Sequence, residues 1–470
     1  MAERKSSTRR VVGVYGLMVV VPVLLSIVLL NGDNSADTTT RSADAVAGHP
    51  LAHLLLAIAI VVAACKAAGW LARRLGQPPV IGEIAAGVVL GPSVLGAVWP
   101  AGAAALIPPS ILPQLNVLAQ VGVVLFVFLT GLELNTKMLH GRGRLAVVVS
   151  HVSIAVPFVL GVGVAVVAYV KFAPQSVDFL AFALFIGVSM SVTALPVLVR
   201  ILKDTGMFRS EVGVVALTCA VVDDVTAWCL LALVVALVTA SSLFGVLLTV
   251  ALTAAFAAVL FLVLRPLLSR LIARTDTSAL RRLAPLALVG VLLCAMTTEW
   301  IGVHAMFGAF LFGLVFPRGN AVETWLHENT GGLTNALMLP LFFAYSGLRT
   351  DIGLLAADAT LWLWCAGILL VAVLGKLGGA ALAARSVGEA WNRSLQIGTL
   401  MNCRGLTELV VLNVGLDLGV LSPTMFTMLV IMALVSTAMT APLSMWLINR
   451  DGRRVRGDVR FGTSAADERP

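Results

Sequence analysis

Apolar runs of about 20 residues, separated by short polar connections, recur from one end of the chain to the other. A run of that length crosses the hydrocarbon core of a bilayer as a helix, whereas a soluble helix carries only an apolar stripe. The pattern therefore predicts an all-α polytopic membrane protein with about 13–14 transmembrane helices. The first apolar stretch, Val11–Leu30, reads as an uncleaved helix. It is long for a signal-peptide core, and the small-residue site Ala45-Val-Ala47 lies too far beyond it. The spans predicted next are Leu51–Trp70, Pro78–Ala97, Ile111–Leu134, Leu145–Val170, Phe179–Leu202, Val212–Thr239 and Leu243–Leu271. Leu283–Thr298, Ala305–Phe316, Leu333–Leu348, Leu361–Ala384, Ser394–Gly415 and Pro423–Ile448 complete the series.

The polar positions between the runs test this count. Bases crowd every second connection: Arg9/Arg10, Arg73/Arg74, Lys137/Arg142/Arg144, Lys203/Arg209, Arg270/Arg274/Arg281/Arg282, Arg318, Arg385/Arg393 and the tail from Arg450. The opposite connections carry little beyond Arg41, Lys171 and Arg349. A miscounted span would destroy the alternation, which by the positive-inside rule places both termini in the cytoplasm of a multi-pass plasma (inner) membrane protein. The net charge of +8 thus reads as topology, and no nucleic-acid partner is expected. With 59% hydrophobic and 12% charged residues, the composition is far from the roughly 45–50% and 25% of soluble domains. Three tyrosines and few alternating segments argue against an outer-membrane barrel. All six cysteines lie in apolar segments without CxxC spacing and read as small buried hydrophobes.

Two spans look interrupted. Phe179–Leu202 contains Ser189-Met-Ser-Val-Thr-Ala-Leu-Pro196, where Pro196 removes a backbone hydrogen bond inside a polar cluster. Ser394–Gly415 contains Met401-Asn-Cys-Arg-Gly-Leu-Thr-Glu408. Their matched places in the two halves are the sequence signature of inverted repeats with two crossing broken helices and a site near the midplane.

Charged groups inside the membrane are expensive, about 2.5–3.5 kcal/mol each at a helix centre on insertion scales, and so point to function or to partners. The stretch Ala220-Val-Val-Asp-Asp-Val-Thr-Ala-Trp228 places Asp223 and Asp224 side by side in a span with no other acid. Lys376, in Gly375-Lys-Leu-Gly-Gly-Ala380, has no acid within helical reach and needs a partner from another span. Adjacent helix positions point about 100° apart, so one aspartate can face Lys376 while the other faces an ion path. Burial favours a neutral carboxylate and a nearby cation an ionised one, so a proton and a metal ion compete for the same charge. Arg404 and Glu408, spaced i, i+4, can neutralise each other or steady the unwound region. Glu83 reads as a helix-start carboxylate with an accessory ion role as the alternative, and Lys66 as a snorkelling lysine. Ser191, Thr193 and Thr226 either bond to carbonyls one turn back or, for the two beside the break, coordinate a cation. His151 and His304 read as hydrogen-bonded helix residues, and the Gly87/Gly91 and Gly375/Gly379 pairs as close-packing sites.

These residues resemble the monovalent cation:proton antiporter-2 family, which includes bacterial Na+/H+ and K+/H+ antiporters and plant cation/H+ exchangers. The likeness covers about Leu51 to Ile448. It rests on Arg74-Leu-Gly-Gln-Pro-Pro-Val-Ile-Gly-Glu83 with Gly91-Pro92, on Ser191-Val-Thr-Ala-Leu-Pro-Val197 and on Val222-Asp-Asp-Val-Thr-Ala-Trp228. It continues through Gly302–Phe310, Leu339–Asp351 and Met401–Leu409. The resemblance implies a Na+/H+ antiporter-like fold and a homodimer in the lipid bilayer. It implies secondary antiport of Na+ or K+ against protons by an elevator-type motion, with no cofactor and no enzymatic activity. It also implies that proton and cation compete at Asp224, the obligatory ion-binding residue, and at Asp223, the second ion- and proton-binding acid, which is partnered by Lys376. Asn402 and Arg404 belong to the second break. Residues 51–134 are then scaffold and dimerisation helices, 145–240 and 361–449 the two halves of the ion-transport core, and 243–350 a linker with further dimerisation helices. Residues 1–50 carry the extra helix and a polar loop. Residues 450–470 form a short basic tail, so no soluble regulatory domain is expected in this chain.

Two other classes compete. A major-facilitator-like drug/proton antiporter also offers fourteen helices, but Gly141-Arg-Gly-Arg144 lacks the acid of its loop motif. A membrane prenyltransferase binds Mg2+–diphosphate with several acids a turn apart, and the span holding Asp223 and Asp224 has no third acid.

Overall fold

The computed structural model describes residues 50–133, 143–208, 210–239, 243–275, 277–356 and 358–462. Val11–Leu30 and the end of the tail lie outside the described residues. The thirteen spans predicted after residue 50 are helical, Phe179–Leu202 and Ser394–Gly415 each as two helices, and no strand occurs among the described residues. The helices are α1 Pro50–Arg74, α2 Pro79–Leu90, α3 Leu112–Glu133, α4 Gly143–Phe172, α5 Phe179–Ser191, α6 Leu195–Asp204, α7 Glu211–Thr239 and α8 Leu243–Val259. They continue as α9 Thr277–Ile301, α10 Ala305–Val315, α11 Ala321–Leu333, α12 Leu339–Leu348, α13 Ala359–Val373, α14 Gly379–Ser386, α15 Trp391–Met401, α16 Leu406–Asp417 and α17 Pro423–Gly462.

Three wide π turns join helices that the apolar pattern reads as single runs. Leu260–Leu264 carries α8 on into Arg265–Arg274, and Thr334–Met338 joins α11 to α12. Both precede a proline, Pro266 or Pro340, whose missing N–H cannot close the i→i−4 bond; the wider turn accommodates the gap. The third, Leu374–Gly378, joins α13 to α14, contains Lys376 and no proline, and follows from no signal in the sequence. Asp358 starts α13 by accepting a hydrogen bond from the Thr360 amide at 2.8 Å.

In a bilayer the lipid tails are as apolar as the side chains, so helices associate through close packing and polar contacts. The exterior shows the expected inversion: α8 presents Phe244 and Leu247 outward, the π turn after it Leu262, and α4 presents Val166, Val167 and Val170. The interior holds one large cluster built on α4–α7, α10 and α15–α17, and a smaller one where α1, α2, the start of α3 and α12 meet. α2 and α12 touch backbone to backbone: a Cβ on Gly87 would stand 2.2 Å from the Ala344 carbonyl oxygen. Gly375 and Gly379 similarly lie against Pro157 and Val156 of α4, which draws the Lys376 turn close to that helix.

Gly87→Ala is expected to push α2 off α12 and cost about 1–3 kcal/mol, the usual range for overpacking. Gly163→Ala, on an open face of α4 with nothing within 4 Å of its added methyl, is expected to be neutral or slightly stabilising. Thermal unfolding of both variants in one detergent checks the contrast, and equal midpoints would remove the close-contact argument.

Candidate functional site

The two interrupted helices meet in the middle of the bundle. α5 stops at Ser191 and α6 restarts at Leu195; α15 stops at Met401 and α16 restarts at Leu406. The extended pieces join through one backbone bond, in which the Ala194 N–H donates to the Cys403 carbonyl at 3.0 Å. Each break exposes helix ends: the last carbonyls of α5 and α15 carry partial negative charge, the first amides of α6 and α16 partial positive charge.

Two cations cover the C-terminal end of α5. Lys376 Nζ donates to the Ser191 carbonyl and, at 2.9 Å, to the Ser153 carbonyl. Arg404 Nη1 donates to the Ser189 carbonyl at 3.0 Å and Nη2 to that of Met190 at 2.7 Å. Arg404 also pairs with Glu408 at 3.1 Å, so the neutralising and the steadying readings of this pair hold together. Thr437 of α17 clamps the Arg404 backbone on both sides: its hydroxyl donates to the Arg404 carbonyl at 2.8 Å and accepts from the Arg404 amide at 3.0 Å.

Asp223 faces Lys376 at 3.2 Å, and both side chains are fully buried. The carboxylate also accepts hydrogen bonds from Ser150 to Oδ1, from Ser153 at 3.0 Å to Oδ2 and from Thr193 at 2.7 Å to Oδ2. At an effective dielectric near 20, opposite charges at such a distance attract by about 5 kcal/mol, while burying each ion costs several. The pair alone is therefore close to break-even. The three hydroxyls on the acid and the two carbonyls on the ammonium make it a settled arrangement.

Asp224, next in the chain, is 2% exposed, and its Oδ1 has no hydrogen-bond partner. Thr407 of α16 lies nearby. Asn402, the last residue before the second break, gives its amide nitrogen to the Ser436 carbonyl at 3.3 Å and keeps an unpartnered buried Oδ1. The buried charged side chains among the described residues are Asp223, Asp224, Lys376, Arg404 and Glu408. Three acids against two cations leave one acid unpaired, and since Asp223–Lys376 and Arg404–Glu408 are paired, it is Asp224.

Some sequence expectations change here. The Ser191 hydroxyl donates to the Val188 carbonyl at 2.9 Å, so this residue meets Lys376 through its carbonyl instead of offering its hydroxyl to a cation. Thr193 spends its hydroxyl on Asp223, and Thr226 bonds one turn back to Val222. Glu83 is not brought to the crossing. It lies on α2, past the first turn, with Lys66, Arg73 and Arg200 as the charges around it. His151 bonds to the Val147 carbonyl as expected, but His304 precedes α10 and its buried Nδ1 has no partner. Ser150, Ser153, Thr407 and Thr437 escaped the sequence reading. For the serines a signal existed: two hydroxyls spaced i, i+3 mark one polar stripe on an otherwise apolar span.

The chain matches the family described as sodium/hydrogen exchanger, transmembrane, over residues 56–446. It is 41% identical over 393 residues to Na(+)/H(+) antiporter NhaS4 of Synechocystis sp., covering 83% of this chain and 96% of that protein. It is 37% identical over 398 residues to Cation/H(+) antiporter 17 of Arabidopsis thaliana, covering 84% and 48%. To K(+)/H(+) antiporter 1 of Saccharomyces cerevisiae it is 34% identical over 429 residues, covering 89% and 49%. The chain thus spans nearly the whole cyanobacterial relative and about half of the plant and yeast ones. Among solved structures it is similar to the sodium proton antiporter MjNhaP1 from Methanocaldococcus jannaschii. The TM-score is 0.62 at 15% identity, covering 85% of this chain and 99% of that one, a likeness of fold. These relatives favour neither the major-facilitator nor the prenyltransferase reading.

Ser153→Ala removes one donor from the buried Asp223 carboxylate and is expected to cost about 1–3 kcal/mol. Lys376→Ala strands the carboxylate and is expected to cost more, about 3–5 kcal/mol. The order of their thermal midpoints in detergent tests whether Asp223 is the acid held by Lys376; a Lys376 variant as stable as the wild type would contradict it.

Proposed function

The chain belongs to the sodium/hydrogen exchanger family, and from that premise we propose that it exchanges a monovalent cation, Na+ or K+, for protons at Asp224. The observation that carries this reading is the asymmetry of the two aspartates. Asp223 has its oxygens occupied by Lys376, Ser150, Ser153 and Thr193, whereas Asp224 is the unpaired buried acid and has an oxygen without a donor. An uncovered carboxylate oxygen at that depth requires either a proton or a cation. A cation arriving from one side displaces the proton, and a proton arriving from the other displaces the cation. That mutual exclusion is antiport. Thr407 lies near Asp224 and offers its hydroxyl to a cation's shell, and the unpartnered Asn402 Oδ1 at the second break is the further oxygen this reading assigns to it. Hard oxygen ligands suit an alkali cation, and the reading calls for no cofactor.

Asp223 is then the fixed counter-charge of Lys376, not a second ion ligand. Alternating access in this reading is an elevator motion of residues 145–240 and 361–449 against residues 51–134 and 243–350, within a homodimer. Two features support the division. On the end of the bundle away from the basic loops, Arg349 after α12 pairs with Asp417 of α16 at 2.6 Å and donates to Asn413 at 3.2 Å. On the basic end, a cavity of about 440 Å³ opens between α3, α6 and α11, lined by Glu133, His327, Pro196 and Asn335. The arrangement is the one expected of a carrier latched outside and open towards the cytoplasm, with both termini on that side of a plasma membrane.

Asp224→Asn is expected to abolish cation-driven proton movement in sealed proteoliposomes while leaving thermal stability unchanged or raised, because the unmatched charge is gone. Asp223→Asn is expected to lower stability by several kcal/mol, since it uncouples a buried ion pair, yet to retain measurable turnover. Dye-reported pH changes on addition of Na+, K+ or Li+, alongside thermal unfolding, separate the two. Exchange by Asp224→Asn at wild-type rate would sink the assignment.

A further inference from the structure

The seam between α4 and α13 stays open on the lipid-facing side of the bundle. Gly367 of α13 has no side chain to close it, and a Cβ placed there would meet nothing within 4 Å. The result is a groove of about 370 Å³, with Val164 and Val167 on one wall and Leu363, Gly367 and Val371 on the other. Trp364 also lines it and is backed by the ring of Phe172, edge to face at 5.3 Å. From Thr360 at one end to Val371 at the other, the groove follows α13 for about 16 Å at a rise of about 1.5 Å per residue. One leaflet of a hydrocarbon core roughly 30 Å thick is about 15 Å deep. The groove therefore has the length of an acyl chain of one leaflet.

Two charges stand at its Thr360 end, which is the end away from the basic loops. Lys171, in the last turn of α4, donates to the Thr360 hydroxyl at 3.3 Å and lies 5.7 Å over the Phe172 ring. Asp358 accepts hydrogen bonds from the amide and the hydroxyl of Thr360. The two charges are 4.0 Å apart, too far for a hydrogen bond, and each side chain is about half exposed. An ammonium has three donors, of which Lys171 spends one here; a carboxylate has about four acceptor positions, of which Asp358 spends two. The pair is balanced in charge, yet it keeps a donor and an acceptor open to the membrane boundary.

We propose that this groove holds one zwitterionic phospholipid whose headgroup carries a phosphate and a primary ammonium. One acyl chain lies in the seam, the phosphate accepts from Lys171 and the ammonium donates to Asp358. The balanced pair selects this headgroup. An anionic headgroup satisfies Lys171 but brings like charge to Asp358, and a choline ammonium has no N–H to give the carboxylate. The seated chain braces α13 where it runs on beyond Val371 into the Leu374–Gly378 turn that carries Lys376.

The experiment is thermal unfolding of the purified full-length protein in detergent, titrated with phosphatidylethanolamine, phosphatidylcholine and phosphatidylglycerol of identical acyl chains. Phosphatidylethanolamine is expected to raise the midpoint saturably by several degrees, and the other two to do so weakly or not at all. Lys171→Gln and Asp358→Asn are each expected to raise its half-saturating concentration about tenfold, the loss of one charge-assisted hydrogen bond. Asparagine at 358 still caps α13, so the helix start is kept. Gly367→Leu is expected to remove the response by filling the seam. Val166→Leu is the control, since Val166 is exposed on α4 and does not line the groove. Equal shifts with all three lipids, a full response in Gly367→Leu, or wild-type affinity in both charge variants would overturn the proposal. If Gly367→Leu does not fold, Val167→Trp closes the same groove from α4 and carries the same expectation.

Discussion

A lysine ammonium and an aspartate carboxylate 3.2 Å apart, both sealed from water, set the terms for the middle of this protein. Neither charge is tolerable alone at that depth, and together they barely recover the cost of leaving water. What makes the pair hold is the ring of groups that three other elements bring to it: hydroxyls from α4, a hydroxyl from the gap between α5 and α6, and carbonyls from α4 and α5. The site is thus a consequence of the crossing, and the crossing is held in place by the site.

The helix interruptions follow the same logic. A broken helix in a membrane leaves carbonyls without partners, which is tolerable only where something else supplies donors. Here Lys376 and Arg404 supply them from the second half of the chain, so the end of one broken helix is satisfied in part by a residue of the other, Arg404. The π turn at Leu374–Gly378 belongs to this economy, since it carries Lys376 at the point where Gly375 and Gly379 draw its helix against α4.

Much of this was legible in the sequence, because the bilayer penalises exceptions. Thirteen spans, two interruptions, the Asp223–Asp224 pair and an unmatched Lys376 each stand out against apolar surroundings, and the helices lie where the runs predicted them. Legibility ended where meaning depends on three-dimensional neighbours. Nothing local distinguishes two adjacent aspartates; only the hydroxyls of Ser150, Ser153 and Thr193 separate a saturated acid from an unmatched one. Serines are cheap in membrane helices, so they raised no alarm. Glu83, read as a helix-start carboxylate, lies past the first turn of α2, and the bases around it come from two other helices, α1 and α6, which no local pattern announces.

The single bond from the Ala194 amide to the Cys403 carbonyl has a bearing on how the chain is made. Its partners are separated by more than two hundred positions, so the first interruption enters the membrane during synthesis long before its counterpart has emerged from the ribosome. That bond therefore closes only after the second half of the chain is in place, which makes the crossing one of the last contacts to be completed during synthesis.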